Sequence, residues 1–346
     1  MHRTEELVAA NGIRLRVFTE GRGPAVLLCH GFPGLWYSWR HQISTLAAAG
    51  YRALAVDMRG YGGSDRPLAA SDYDNHTITA DLTGVLDALG ESTAVLVGHD
   101  FGAQAAWSSA LKAPERFPAV VSLAVPYGVG FSKRTDRASE RDEPRVDDSH
   151  HQPGPKPSGA FAAIARKHFI HLHYFQEVGV AEAELGAHPK RFLERIYWAL
   201  SGSGSLLDFQ KFPSEGTGYL DVLAEPSKPL PWPWFTEHDL DYLVGEYLRG
   251  DERTAFIGGL NSYRAMDINW ANDPDYGRKT IECPALLICG AEDPALKIIG
   301  KRGLETMPER VSDLRGIEII PNAGHFVQQE QPEATNRALL GFLAEL

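Results

Sequence analysis

Along the first third of the chain, short apolar runs alternate with stretches of helical spacing, and this alternation is the main fold signal. Residues 7–20 carry two short alternating runs around Asn11-Gly12, which predicts a hairpin. Residues 25–30 (AVLLCH) are continuously apolar, as a strand buried on both faces must be. Residues 51–57, 94–97 and 119–125 read the same way. Between them, 37–49 and 77–89 have helical periodicity and stop at Gly50 and Gly90, the residue type that most readily closes a helix. A further helix is expected over 103–112. Strand-helix alternation predicts right-handed crossovers and a mostly parallel sheet flanked by helices.

The pattern then changes. Residues 131–159 are rich in charge and proline with almost no apolar periodicity, and read as a long exposed loop. From 161 to about 270 the chain is helical and aromatic, over 161–174, 188–200, 236–248 and 261–270, with a proline-rich connector at 226–233. This stretch reads as a helical lid inserted into the sheet domain. Strands resume at 284–289 and 316–320, and 331–346 closes the chain as an amphipathic helix. The expected organisation is an α/β core in two parts, 1–130 and 276–346, separated by the loop and lid of 131–275.

Composition narrows the partners. Of 346 residues 43% are apolar, ample for a packed core, and the net charge of -11 argues against nucleic acid or an anionic membrane surface. No apolar run approaches 20 residues and no signal-peptide pattern follows Met1-His2-Arg3, so neither membrane insertion nor secretion is expected. Cys29, Cys283 and Cys289 lie in apolar, strand-like runs and read as buried thiols, which suits a reducing cytoplasm.

The candidate chemistry centres on Gly98-His99-Asp100-Phe101-Gly102, between a predicted strand and a predicted helix. Glycine two residues to each side of Asp100 fits a sharp strand-turn-helix elbow whose central residue is strained. A carboxylate there is already ionised at pH 7 and can attack an electrophilic carbon without activation. The alternative is an ordinary turn with Asp100 as helix N-cap. Asp293 and His325 follow downstream, each after a predicted strand, and give the chain order nucleophile, acid, base. Glu292 competes with Asp293 for the orienting role. Ligands of such sheets gather at the carboxyl ends of strands, where His30, Asp57 and Asp100 all fall.

With these pieces, HGFP at 30–33, a DxRGxGxS-type segment at 57–64, GHDFG at 98–102, GAEDP and AGHF, the chain resembles an α/β-hydrolase of the soluble epoxide hydrolase family over nearly its whole length. Tyr174-Phe175-Gln176-Glu177 and Asn261-Ser262-Tyr263-Arg264 resemble the segments that carry that family's ring-opening tyrosines. The resemblance implies Asp100 as nucleophile, His325 as base and Asp293 as its orienter. It also implies Tyr174 and Tyr263 as acids, with Tyr61, Tyr37 and Tyr197 as alternatives. The oxyanion donors would be the backbone amides of Phe32 and Phe101, with Phe32-Pro33 cis. No cofactor or metal is implied, and relatives with helical lids are monomers or homodimers.

The leaving group separates two readings. An epoxide oxygen must be protonated or strongly hydrogen-bonded as its bond to carbon breaks, and a tyrosine hydroxyl can do this. A halide instead wants weak N–H donors, and the related haloalkane dehalogenases carry Trp after the nucleophile; this chain has Phe101 there and Phe32 in the first loop. A small apolar epoxide is the expected substrate, a dehalogenase the alternative, and a non-catalytic ligand-binding relative the third reading. Trp36, Trp107 and Phe131 are candidate pocket walls. His168, His171 and His173 do not share one helical face and no further ligand completes a metal set. His99 is expected to point away from the nucleophile, and His30 to support the 30–34 loop.

Overall fold

A computed structural model describes residues 3–128, 156–206 and 208–346. Eight strands form one sheet in the order β1-β2-β4-β3-β5-β6-β7-β8. The strands are β1 (Arg3–Ala10), β2 (Ile13–Gly21), β3 (Ala25–Cys29), β4 (Arg52–Val56), β5 (Val95–His99), β6 (Val120–Leu123), β7 (Ala285–Gly290) and β8 (Leu314–Ile320). The hairpin of β1 and β2 turns at Asn11 and Gly12, with φ 48° and 79°. Both central residues in the left-handed region is what a two-residue turn matched to strand twist demands. β2 joins β4 antiparallel, and every pairing from β4 to β8 is parallel.

The central strands are apolar throughout because both faces are covered. In β3, Leu27 and Cys29 face one hydrophobic cluster while Val26 and Leu28 face the other. Helices α1 (Arg40–Ala48), α2 (Asn75–Leu89) and α3 (Phe101–Lys112) lie between the early strands. Gly50 and Gly90, with φ 89° and 73°, end α1 and α2 as expected. Strand order reverses between β3 and β5, so the loops leaving these two strands diverge and open a crevice at their carboxyl ends.

Between β6 and β7 the described chain adds helices α4 (Pro157–Ala165), α5 (His171–Tyr174), α6 (Val180–Ala187), α7 (Pro189–Leu200), α8 (Tyr219–Val222), α9 (Glu237–Tyr247), α10 (Ile257–Arg264) and α11 (Met266–Asn272) and contributes no strand to the sheet. Side chains bind this helical stretch to the loops after β3 and β4. Tyr197 donates to the Pro33 carbonyl at 2.8 Å and Tyr247 to that of Gly34 at 3.1 Å. The Tyr37 hydroxyl donates to Asp239 at 2.8 Å, and Arg16 reaches Asp57 and, at 2.5 Å, Glu246. Helices α12 (Pro294–Glu305), α13 (Val327–Glu330) and α14 (Pro332–Leu343) complete the fold.

Some expected boundaries move. The loop expected over 131–159 gives way to α4 at Pro157, a residue that suits the first helical turn because its missing N–H has no partner there anyway; 131–155 lie outside the described residues. The stretch 161–174 is two helices rather than one, and 261–270 divides between α10 and α11. Helices α6 and α12 went unread in the sequence. Among the described residues no helix is long and apolar enough to cross a membrane.

Candidate active site

Asp100 occupies the N-cap position of α3 with φ 56° and ψ −119°, and its side chain makes no capping bond. The turn is possible only with glycine on both sides. A Cβ on Gly98 would come within 2.1 Å of the Gly102 carbonyl oxygen, and one on Gly102 within 2.1 Å of that of Cys29. The carboxylate is thereby turned from its own helix toward the 30–34 loop. Gly31 must also lack a side chain, since its Cβ would lie 2.3 Å from Asp100 Oδ1. The Phe32 amide donates to that oxygen at 2.8 Å, and the Phe32-Pro33 peptide is cis. The Phe101 amide is the first of α3, one of the N–H groups that a helix leaves without an internal partner.

His325 Nε2 stands 3.5 Å from the other oxygen, Asp100 Oδ2. Its Nδ1 donates to Asp293 Oδ2 at 3.1 Å, while Asp293 Oδ1 accepts the Ala295 amide at 2.8 Å. Asp293 therefore caps α12 and orients His325 at once. Burial works against a charged His325, but the carboxylates of Asp293 and Asp100 outweigh it and push its pKa up to about 10. Burial likewise disfavours the Asp100 anion, and the hydrogen-bonding and positive charge of His325 bring its pKa below the usual carboxylate range. Both shifts favour a proton on His325 and a charge on Asp100.

Backbone contacts hold the His325 loop at both ends. The His325 amide donates to the Leu200 carbonyl at 2.9 Å, and His99 Nε2 donates to the His325 carbonyl at 2.8 Å. The His99 ring lies 4.7 Å from that of His325, and burial pushes its pKa down to about 4, so it donates as the neutral imidazole. Glu330 accepts the amides of Gly202, Gly324 and Phe326, at 2.7, 3.0 and 3.1 Å. His30 supports its own loop, with Nδ1 on the Gly31 carbonyl and Nε2 accepting the Met58 amide.

The two expected tyrosines part company. Tyr263 packs edge-on against Phe101, ring centroids 4.8 Å apart, and against Phe32 at 6.4 Å. Burial, then the Asp100 charge, raises its pKa well above the ordinary value, keeping the phenol protonated. The hydroxyl of Tyr174 instead donates to Glu184 at 2.8 Å. The Tyr174 hydroxyl is thus engaged by Glu184 and not by Asp100. Sequence reading weighed His171, one turn earlier, only as a metal ligand. Its ring lies 5.8 Å from Tyr263, its Nδ1 is buried with no hydrogen-bond partner among the described residues, and Asp100 is the one charge that bears on it.

Of the expected pocket walls, Trp107 lines a cavity of about 130 Å³ together with Gln104, Met266 and Trp270. A smaller cavity of about 30 Å³, bounded by Tyr61, Phe101, Gln104 and Ser262, lies nearer the elbow. Trp36 lines neither; it stacks on Phe18 at 4.2 Å and its indole donates to Tyr242, because it faces the hairpin. Phe131 lies outside the described residues. Among these residues no group of three His, Cys, Asp or Glu could hold a metal ion.

Residues 24–144 match the family model of the alpha/beta hydrolase fold. Epoxide hydrolase A of Mycobacterium tuberculosis is 41% identical, over 99% of this chain and 98% of its own. Epoxide hydrolase 2 of Siraitia grosvenorii is 34% identical over 97% and 96%. The structure is similar to that of an epoxide hydrolase from an endophytic Streptomyces, with a TM-score of 0.84 at 37% identity over 99% of this chain and 95% of that one. It is equally close, at 0.84 and 39% identity over 99% and 98%, to epoxide hydrolase A of Mycobacterium thermoresistibile.

Proposed function

This chain belongs to the epoxide hydrolases of the α/β-hydrolase fold, and from that premise we propose that it adds water to an oxirane through an ester on Asp100. One observation carries the mechanism: a carboxylate at an N-cap position that leaves its helix uncapped and meets the Phe32 amide on one oxygen and His325 on the other. Asp100 attacks an oxirane carbon, and the breaking C–O bond leaves its electron pair on oxygen, which Tyr263 protonates. Esterification removes the Asp100 charge that helped to raise the His325 pKa. The imidazolium then surrenders a proton and becomes a base as the ester forms, and that proton restores Tyr263 by way of solvent. Neutral His325, steadied by Asp293, takes a proton from water attacking the ester carbonyl. The amides of Phe32 and Phe101 stabilise the oxyanion, a contribution of ~3 kcal/mol for each such donor. Collapse releases the vicinal diol and regenerates the ion pair.

In this reading the described part of the insertion expected over 131–275, from 156 onward, forms a lid over a core made of 1–130 and 276–346, and the lid brings Tyr263 to the carboxylate. A dehalogenase would need N–H donors around the leaving group, and neither Phe32 nor Phe101 has one in its side chain. Single turnover of styrene oxide in ¹⁸O-water tests the ester route. The first diol should be unlabelled, its new oxygen coming from Asp100, and His325→Gln should accumulate protein heavier by one substrate. Labelled first-turnover diol would sink the covalent mechanism.

A further inference from the structure

We propose that His171 is the second hydrogen-bond donor to the oxirane oxygen, acting beside Tyr263 in the place expected of Tyr174; the inference rests on the ester mechanism above. Ring opening concentrates negative charge on one oxygen, and a buried site must meet it with more than one donor, because water is excluded there. Tyr174 cannot supply the second donor while its hydroxyl is given to Glu184. His171 is free to do so: its Nδ1 is buried and unpartnered among the described residues.

An unpartnered buried polar atom costs free energy, which a ligand that completes its hydrogen bond recovers. The ring packs edge-on against Tyr263, which in turn packs against Phe101 of the elbow, and the aromatic rings of Phe175, Phe209 and Tyr219 lie around it within 5.8 Å. Among these ring neighbours the polar atoms are the hydroxyls of Tyr219 and Tyr263. Burial pushes its pKa down to about 4, which leaves it neutral with one N–H to give. In the step itself the C–O pair goes to oxygen, the proton that moves is that of Tyr263, and the His171 proton stays on nitrogen as a hydrogen bond.

Tyr61 is the rival donor. Its buried hydroxyl also lacks a hydrogen-bond partner among the described residues, with Ser262 as its polar neighbour, and Asp100 bears on it too. Stopped-flow measurement of ester formation and ester hydrolysis with styrene oxide separates the candidates. His171→Phe should slow ester formation about a hundredfold, the low end for one positioned donor, with hydrolysis of the formed ester unchanged. His171→Tyr should recover most of the rate, since a phenol can donate from the same place, whereas a purely structural role would not be rescued this way. His171→Gln keeps an N–H donor in a similar volume and serves if the Phe variant folds poorly; it should fall between the two. Wild-type ester formation in His171→Phe, or a loss confined to Tyr61→Phe, would overturn the proposal. Absence of any ester in the wild-type protein would instead strike the mechanism on which it rests.

Discussion

Asp100 stands where a helix N-cap should stand, yet its carboxylate accepts from Phe32 in another loop and leaves α3 uncapped. That separates two roles which the residue type and its place in the chain leave equal. The flanking glycines, Asp293 and His325 were legible because each lies where a strand ends, and strand ends are marked by the local pattern. Tyr174 and His171 were not, since they sit three residues apart in a four-residue helical turn whose side-chain directions depend on what packs above it. Only the structure supplies the Glu184 carboxylate that holds Tyr174. Tyr174→Phe should therefore change kcat for styrene oxide less than threefold, about 0.6 kcal/mol at most, while lowering the melting temperature through the lost charged hydrogen bond. A loss as deep as that of Tyr263→Phe would return Tyr174 to the site.

At the level of elements, Tyr263 and His171 lie on α10 and α5, which the neighbouring Arg264 ties together. Its guanidinium donates to the Phe175 carbonyl at 2.8 Å, to Glu182 on α6 at 2.7 Å and to the Glu177 carbonyl at 3.1 Å. Arg264 and Glu182 are both buried, with side chains 5% and 7% exposed. Removing one partner strands the other charge, which costs ~3–5 kcal/mol. Arg264→Met should thus lower the urea midpoint and slow ester formation together, while Arg264→Met with Glu182→Leu should recover much of the stability. On its other side α10 meets the 30–34 loop through glycine, where a Cβ on Gly259 would press to 2.1 Å from the Phe32 ring. The sequence pattern showed a helix near 261–270, but these couplings join residues far apart in the chain, by 82 positions or more, and leave no mark in local periodicity.

For the whole molecule, the charges at the site make stability depend on pH in a defined direction. His325 binds its proton more tightly folded than unfolded, so its contribution is complete below about 6.5 and is lost as pH rises toward about 10. Asp100, held below its ordinary value, contributes above the usual carboxylate range and loses that contribution as pH falls. The melting temperature of the wild type should drop between pH 7 and 10 more steeply than that of His325→Gln. Equal slopes would mean that the resting imidazolium is not there. The alternation of strands and helices foretold the sheet and its helical insertion, because apolar runs covered on both faces can serve as little else. How the insertion grips the core was hidden, since it is done by single polar atoms such as the Tyr197 and Tyr247 hydroxyls.

The amide of His325 is bound to the end of α7, and Glu330 joins Gly202, just beyond that helix, to the turn carrying His325. His325 and the insertion therefore share one set of hydrogen bonds. A rigid-body swing of α7 away from the sheet would drag the imidazole off Asp100. It follows that these helices cannot be exchanged between homologues like interchangeable lids. A transplanted 156–206 segment has to travel with the 321–331 turn that it grips, and the two form one inheritable unit despite the more than a hundred residues between them.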